Sequence, residues 1–431
     1  MFYERFVASG RVPVFDGAIG TMLQKHPAFE QARFGEMLNL SHPDLVKEIH
    51  QEYCEAGTDF VTTNTFSANR VRLGEVGLED RVAEINVRGA RLAREATEEQ
   101  CLIAGSIGPL GKLLEPLGPI SFDQALATFA EQAQALEAGG ADLIIIETMD
   151  APREIKAAVI AVRQSTGLPI IASMTYMAQG RTISGTDPQT AANILQNLGV
   201  AVVAANCSVG PEDLLQVARA YRAHTDLPVL IEPNAGQPRL EQGRTVYDLG
   251  PDAFAEAAAK LLKAGVDIVG SCCGSDPTYT RRLREISTGR KPAERNREGY
   301  HPALSTRLQT IPLKRLAEIP IAELSFGNRG HVSAIPSRTQ QVPPDGVSAI
   351  VLDLNPYRDI DSSELEKAIL QAQMFTKIPL GFRCSDPQVL EVGLKACEGI
   401  PLIVPAAGIE NEIETLVGKY GGVMINPLDL V

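Results

Sequence analysis

The chain has 431 residues, enough for two or three domains, and it is 44% hydrophobic with no tryptophan and 5% aromatic residues, so its core is aliphatic. A net charge of −13 argues against a nucleic-acid partner. Seven cysteines without disulfide-like spacing and a start, Met1-Phe-Tyr-Glu-Arg5, without an apolar leader point to a reducing, cytoplasmic setting, and no apolar run is long enough to cross a membrane.

Apolar runs alternate with amphipathic segments of helical length. Strands are expected at 12–16, 59–63, 102–106, 142–147, 169–174, 201–205, 228–232 and 267–270. Helices are expected between them, at 45–56, 81–97, 122–138, 154–165, 187–197, 212–224 and 253–263. Several end in Gly and lead to an Asp before the next strand, as in Ala56-Gly-Thr-Asp59, Gly139-Gly-Ala-Asp142 and Ala264-Gly-Val-Asp267. Eight such units over residues 1–290 have the size and rhythm of a (β/α)₈ TIM barrel. A charged, basic linker follows at 291–305. Residues 306–431 repeat the α/β pattern in three or four units, with apolar runs at 348–354, 378–382, 400–404 and 422–426. Asp386-Pro387 is expected to open a helix there, with Asp as the cap.

Polar residues gather where the barrel strands end, which is where such a barrel opens and places its active site. Cys207 closes the run that begins at Val200, and 65 residues later Cys272-Cys273 closes the run that begins at Val266. Three thiolates at one mouth make a Cys₃ zinc site with one coordination position open, as a catalytic metal requires. The open position suits a substrate thiol held as thiolate. Neighbours on a strand face opposite ways, so both adjacent cysteines reach one metal only where the strand breaks; Gly270 and Gly274 allow that break. Cys54, Cys101, Cys384 and Cys397 read as ordinary core cysteines.

Asp16, Asn64-Thr65, Glu147, Thr175 and Glu232-Pro-Asn234 end other strands. Asp16 and Glu147 would anchor a substrate ammonium, Gly17 and Gly20 would bring backbone N–H groups to a carboxylate, and Asn64 and Thr65 complete the substrate-binding set. Asn234 offers a side-chain oxygen as fourth metal ligand when substrate is absent. Singly, each also reads as a helix cap or a turn.

Asp16-Gly-Ala-Ile-Gly-Thr21, Thr63-Asn-Thr-Phe66, Ile107-Gly-Pro-Leu-Gly111, Gly185-Thr-Asp-Pro188, Asn206-Cys207, Glu232-Pro-Asn-Ala-Gly236 and Cys272-Cys-Gly274 together resemble the homocysteine S-methyltransferase family, nearest to the homocysteine-binding barrel of cobalamin-dependent methionine synthases. The resemblance covers roughly residues 1–290. It implies zinc on Cys207, Cys272 and Cys273, homocysteine sulfur on that zinc, and Asp16 and Glu147 at the amino-acid end of the substrate. Gly327-Asn-Arg329, Leu352-Asp-Leu-Asn355 and Ser385-Asp-Pro-Gln-Val-Leu-Glu391 resemble the first half of the pterin-binding barrel that follows in the same family, with Asn355 as the residue that would meet a pterin. The family carries an acid before the Arg near Gly327 and another where this chain has Arg383. These departures weigh against folate binding.

The implied reaction is attack of a zinc-bound homocysteine thiolate on a methyl group, forming methionine. No Asp-x-His-x-x-Gly cobalamin motif surrounds any of the six histidines, so methylcobalamin would arrive on a separate corrinoid protein. S-methylmethionine, S-adenosylmethionine, a betaine or methyl-folate are the alternative donors, and another thiol is the alternative acceptor. Residues 301–431 would then serve assembly, pairing with their copy in a homodimer that covers open sheet edges.

Overall fold

The computed structural model describes residues 10–32, 34–241, 244–291, 302–313, 319–326, 331–406 and 409–425. The Gly327-Asn328-Arg329 motif, the Met1–Arg5 start, most of the basic linker and Asn426 lie outside them. Two compact units emerge, Met1–Ser184 with Val200–Asn296, and Gly185–Gly199 with Arg297–Val431.

The first unit is a ring of parallel strands: β1 (Phe60–Thr62), β2 (Leu102–Ile107), β3 (Leu143–Met149), β4 (Ile170–Met174), β5 (Val202–Asn206) and β6 (Val229–Glu232). A hairpin of β7 (Pro238–Glu241) and β8 (Arg244–Tyr247) follows, and then β9 (Ile268–Val269) rejoins the ring beside β6. The Val14–Phe15 segment closes it. Val14 bridges Val269 and Phe15 bridges Phe60, both in parallel sense, with Phe15 N donating to Val269 O at 2.8 Å. Eight chain segments therefore close a (β/α)₈ barrel, as the sequence rhythm implies.

Local chemistry sets where its helices begin. Proline stands in the first turn of Pro43–Glu55, Pro152–Ser165, Pro211–His224, Pro251–Lys263 and Pro277–Ser287, where its missing N–H costs nothing. Phe122–Ala138 starts with a full capping box between Ser121 and Gln124. Inside the ring, Phe15 stacks on Phe60 at 4.3 Å, above a filling of Leu143, Ile145, Ile171, Val202, Leu230 and Ile268. Each buried side chain of this size contributes roughly 2 kcal/mol.

The recurrent aspartates at the strand entrances form the floor of the barrel. Asp59, Asp142 and Asp267 accept backbone N–H groups of the neighbouring strands, from Val14 at 2.8 Å, Ile103 at 2.7 Å and Val229 at 2.9 Å. Each is also paired with arginine: Asp59 with Arg11 and Arg284, Asp142 with Arg94, and Asp267 with Arg222.

The second unit contains a short antiparallel pair, β10 (Ala303–Ser305) and β11 (Thr310–Pro312). Beside them the helix Pro188–Asn197 donates from Asn193 Nδ2 to Ala303 O at 3.1 Å. Five parallel strands then run in chain order: β12 (Ile321–Leu324), β13 (Ala349–Asp353), β14 (Leu380–Cys384), β15 (Leu402–Pro405) and β16 (Val423–Met424). The helices Ala334–Gln340, Ser362–Phe375, Pro387–Ala396 and Glu410–Tyr420 alternate with them, so this is an open run of the barrel's own βα rhythm. Asp386 caps the third of these helices as expected, its side chain accepting Gln388 N. The apolar runs mark four of the five strands. β12 escapes that signal because it is only half-buried and carries Glu323.

Candidate metal centre at the barrel mouth

The three cysteines converge. Their Sγ atoms all lie within 4.8 Å of one another, with Cys207 and Cys273 in contact at 3.6 Å, and all three keep some surface at the mouth. Backbone geometry explains how. β5 ends at Asn206, and Cys207 and Ser208 then take φ of 65° and 60°, a left-handed turn that side chains seldom adopt. β9 ends at Val269, three residues before Cys272, so the adjacent cysteines lie on a looped backbone pinned by Cys272 N to Pro233 O at 2.7 Å and Ala235 N to Cys273 O at 2.9 Å.

The two glycines act differently from each other. Gly274 has φ of 83°, and a Cβ there would lie 2.3 Å from the Tyr247 ring. Gly270 instead makes room: a Cβ would lie 2.7 Å from Phe15 Cβ and 2.9 Å from Glu232 Cγ. The expectation of conformational freedom holds at Gly274, whereas Gly270 is a matter of close packing.

Hydrogen bonding makes the three thiols unequal. Bonds from Cys207 and Cys272, with a further one from Tyr247, pull the Cys273 thiol down to about 3. Cys272, bonded to Cys207 and Cys273 and then buried, is pushed well above its ordinary range. Three thiols gathered this closely suit a thiophilic dication that would displace their protons. Asn234 adds to this fit, because its Oδ1 is buried without a hydrogen-bond partner among the described residues.

Three carboxyl groups share the mouth. Asp16 takes Thr62 N at 2.7 Å and Thr62 Oγ1 at 2.8 Å, yet burial outweighs these bonds and lifts it to about 7. Glu147 is lifted to about 7 by burial, against a bond from Ser106 Oγ and with help from the charge of Cys273. Its strand breaks register between Ile146 and Met149, and Thr148 stands at φ of 59°, a bulge that re-aims the acid. Glu232, at the end of β6, is pushed well above the carboxylate range by burial first and then by Glu147 and Asp16.

Asn206 joins the acids to the sulfurs. Its Nδ2 donates to Thr148 Oγ1 at 2.8 Å and to Glu147 Oε2 at 3.2 Å, and lies 3.8 Å from Cys272 Sγ, while its Oδ1 accepts Thr148 N and Ser173 Oγ. Glu232, Asn206 and Tyr247 carry no role in the sequence reading. Their strand-end positions mark the first two, but only the packed structure shows what they touch.

Other expected residues hydrogen-bond to groups other than the three thiols. Asn64 is committed to Gly35 O and Asn39 Oδ1, and Thr65 Oγ1 donates to Ser106 O at 2.8 Å, so their hydrogen bonds hold the loop after β1. Thr175 meets Ser208 Oγ at 2.9 Å. In the second unit, Asn355 lies between Asp353 Oδ1 and the backbone N of Ser385.

A sequence profile described as homocysteine S-methyltransferase matches residues 13–287. Methionine synthase of Mycobacterium tuberculosis is 33% identical over 330 residues, covering 73% of this chain and 28% of that protein. Its counterpart in Mycobacterium leprae is 32% identical over 323 residues, covering 70% and 27%. The chain thus spans just over a quarter of the length of these relatives. Among solved structures, the homocysteine methyltransferase MmuM from Escherichia coli superposes in its oxidised form with a TM-score of 0.56 at 21% identity, covering 66% of this chain and 99% of that one. Its metallated form gives 0.54 at 21% identity, covering 64% and 96%. These structures share the fold. With the profile spanning more than half of the sequence, the chain belongs to the homocysteine S-methyltransferase family of methyltransferases.

Proposed function

We propose that this chain methylates homocysteine on sulfur to form methionine, with zinc held by Cys207, Cys272 and Cys273. The observation that carries the reading is the meeting, at one mouth, of a three-thiol cluster and acids that have no cationic partner among the described residues. Bound zinc would supply a Lewis-acid position that favours the thiolate form of a substrate thiol at neutral pH. Asp16 and Glu147 would receive the α-ammonium group, whose charge returns both carboxyls to the ionised state. Asn206 would hold Glu147 at a fixed distance from the sulfurs. Gly17 and its neighbours would face the substrate carboxylate, and Asn234 Oδ1 would fill the fourth metal position between turnovers. The substrate sulfur then displaces the leaving group of the donor in line, and the departing group keeps the bonding electron pair.

The donor is proposed to be methylcobalamin carried by a separate protein. The rim favours a macromolecular visitor: Leu113, Leu117, Met177 and Ile183, on loops that follow barrel strands, and Leu240, on the β7–β8 hairpin that follows β6, are exposed. Folate binding by the second unit is not proposed, since Arg383 there is held by Glu323 in a paired ion contact and Asn355 is already engaged. Assembly of a homodimer is the role proposed for that unit. No helix among the described residues is long and apolar enough to cross a membrane, and a reducing cytoplasmic setting is proposed.

The test offers homocysteine with each donor separately to zinc-loaded protein and measures methionine. Turnover with a methyl-corrinoid protein supports the reading. Turnover with S-methylmethionine or a betaine alone replaces it with a self-sufficient transferase, and none with any donor points to another thiol acceptor. Cys207→Ser is expected to bind substoichiometric zinc and to lose at least about 1000-fold in activity.

A further inference from the structure

Two cysteines outside the mouth also meet. Cys54 lies in the last turn of the helix Pro43–Glu55, and Cys101 immediately precedes β2. Their sulfurs are 2.9 Å apart although 47 residues separate them in sequence. Cys101 is buried among Val61, Ala93 and Ile103, whereas Cys54 keeps part of its surface in solvent. Both stand at the floor, where strands enter the barrel, away from the cluster at the strand exits.

We propose that Cys54 and Cys101 form a redox-active dithiol, converted by a low-molecular-weight disulfide into a reversible intramolecular disulfide. Cys54 is the exposed partner and reacts first. Its thiolate attacks one sulfur of the oxidant RSSR, forming a mixed disulfide and expelling RS⁻, which takes up a proton. Cys101 then loses its proton to solvent and attacks the Cys54 sulfur, releasing a second RSH. The balance is two protein thiols and one RSSR giving one protein disulfide and two RSH. Burial first, and then the nearby Cys54, raise the Cys101 thiol, so this second step is the slow one. The new bond ties the end of a helix to the start of a strand around β1 and restricts the unfolded chain over a long loop. It also shields Cys54 from deeper oxidation.

The test treats full-length, zinc-supplemented protein with oxidised glutathione, then alkylates, digests without reductant and identifies linked peptides by mass spectrometry. A Cys54–Cys101 link, a fall of two in titratable thiols, a rise of several degrees in the unfolding midpoint and reversal by dithiothreitol are expected. Cys101→Ser is expected to stop at glutathione on Cys54, and Cys54→Ser to abolish the thiol loss. Links confined to Cys207, Cys272 and Cys273 would overturn the proposal. So would Cys54 in the parent protein remaining free or carrying only glutathione.

Discussion

The two ends of the barrel hold the same residue type in opposite states. Asp59 precedes β1 and Asp16 follows the Val14–Phe15 segment paired with it, and each accepts a backbone N–H from the other's segment, Val14 in one case and Thr62 in the other. Asp59 also meets two arginines. Asp16 meets none among the described residues and, like Glu147, sits near 7. At the floor a carboxylate with a cation and a backbone partner fastens strands together. At the mouth the cation is left for the substrate to bring, and the site tolerates the cost of waiting for it.

If that division is real, floor and mouth substitutions should damage different properties. Asp267→Ala removes a fully buried carboxylate and strands Arg222 and the Val229 N–H; a loss of about 3–5 kcal/mol in urea unfolding is expected, with kinetic constants of the folded fraction within about twofold of the parent. A collapse in turnover at unchanged stability would erase the distinction. Glu147→Gln should do the reverse, raising KM for homocysteine about 10- to 100-fold through loss of a charged hydrogen-bond partner, with stability equal or higher. Asp16→Asn should match it and Glu232→Gln should show a smaller rise. An unchanged KM in all three would remove the ammonium from this end.

A third effect is on pH. Asp16 and Glu147 bind protons up to about 7 in the folded chain but only to their ordinary 3.8 and 4.5 when unfolded. Their contribution to stability is therefore complete at low pH and disappears as pH rises through about 7. Metal-free protein should lose up to about 5 kcal/mol between pH 5 and 8, from both groups together, and the Asp16→Asn, Glu147→Gln double variant should flatten that slope. A double variant with the parent's slope would assign the titration elsewhere.

Much of this was readable from residue order. Glycine before a repeated Asp marked the strand entrances, and apolar runs ending in Cys, Asp or Glu marked the exits, because a barrel strand is buried along its length and polar only at its ends. What tells Asp16 from Asp59 was not readable, since Arg284 reaches Asp59 across 225 residues. Gly270 misled for a similar reason: its neighbours Phe15 and Glu232 come from other strands. The hairpins β7–β8 and β10–β11 are not legible because strands of three or four residues are too short for an apolar period, whether exposed throughout like β7 or buried throughout like β10. Asn64 and Thr65 stand at a strand end, and their bonds to Gly35 O, Asn39 Oδ1 and Ser106 O likewise join residues distant in sequence.

Closure of the ring through Val14 and Val269 also sets an order of events during synthesis. Of the ring's own strands, the one made earliest has no partner on one side until the last is made, some 255 residues later. Cys272 and Cys273 emerge directly after that last strand, and Gly274 N then reaches back to Thr21 Oγ1 while Ala18 N reaches Ser275 Oγ. Cys207 waits for them. Completion of the ring and completion of the thiol cluster are thus one late step, and a nascent chain stalled before residue 269 has neither a closed barrel nor a place for its metal.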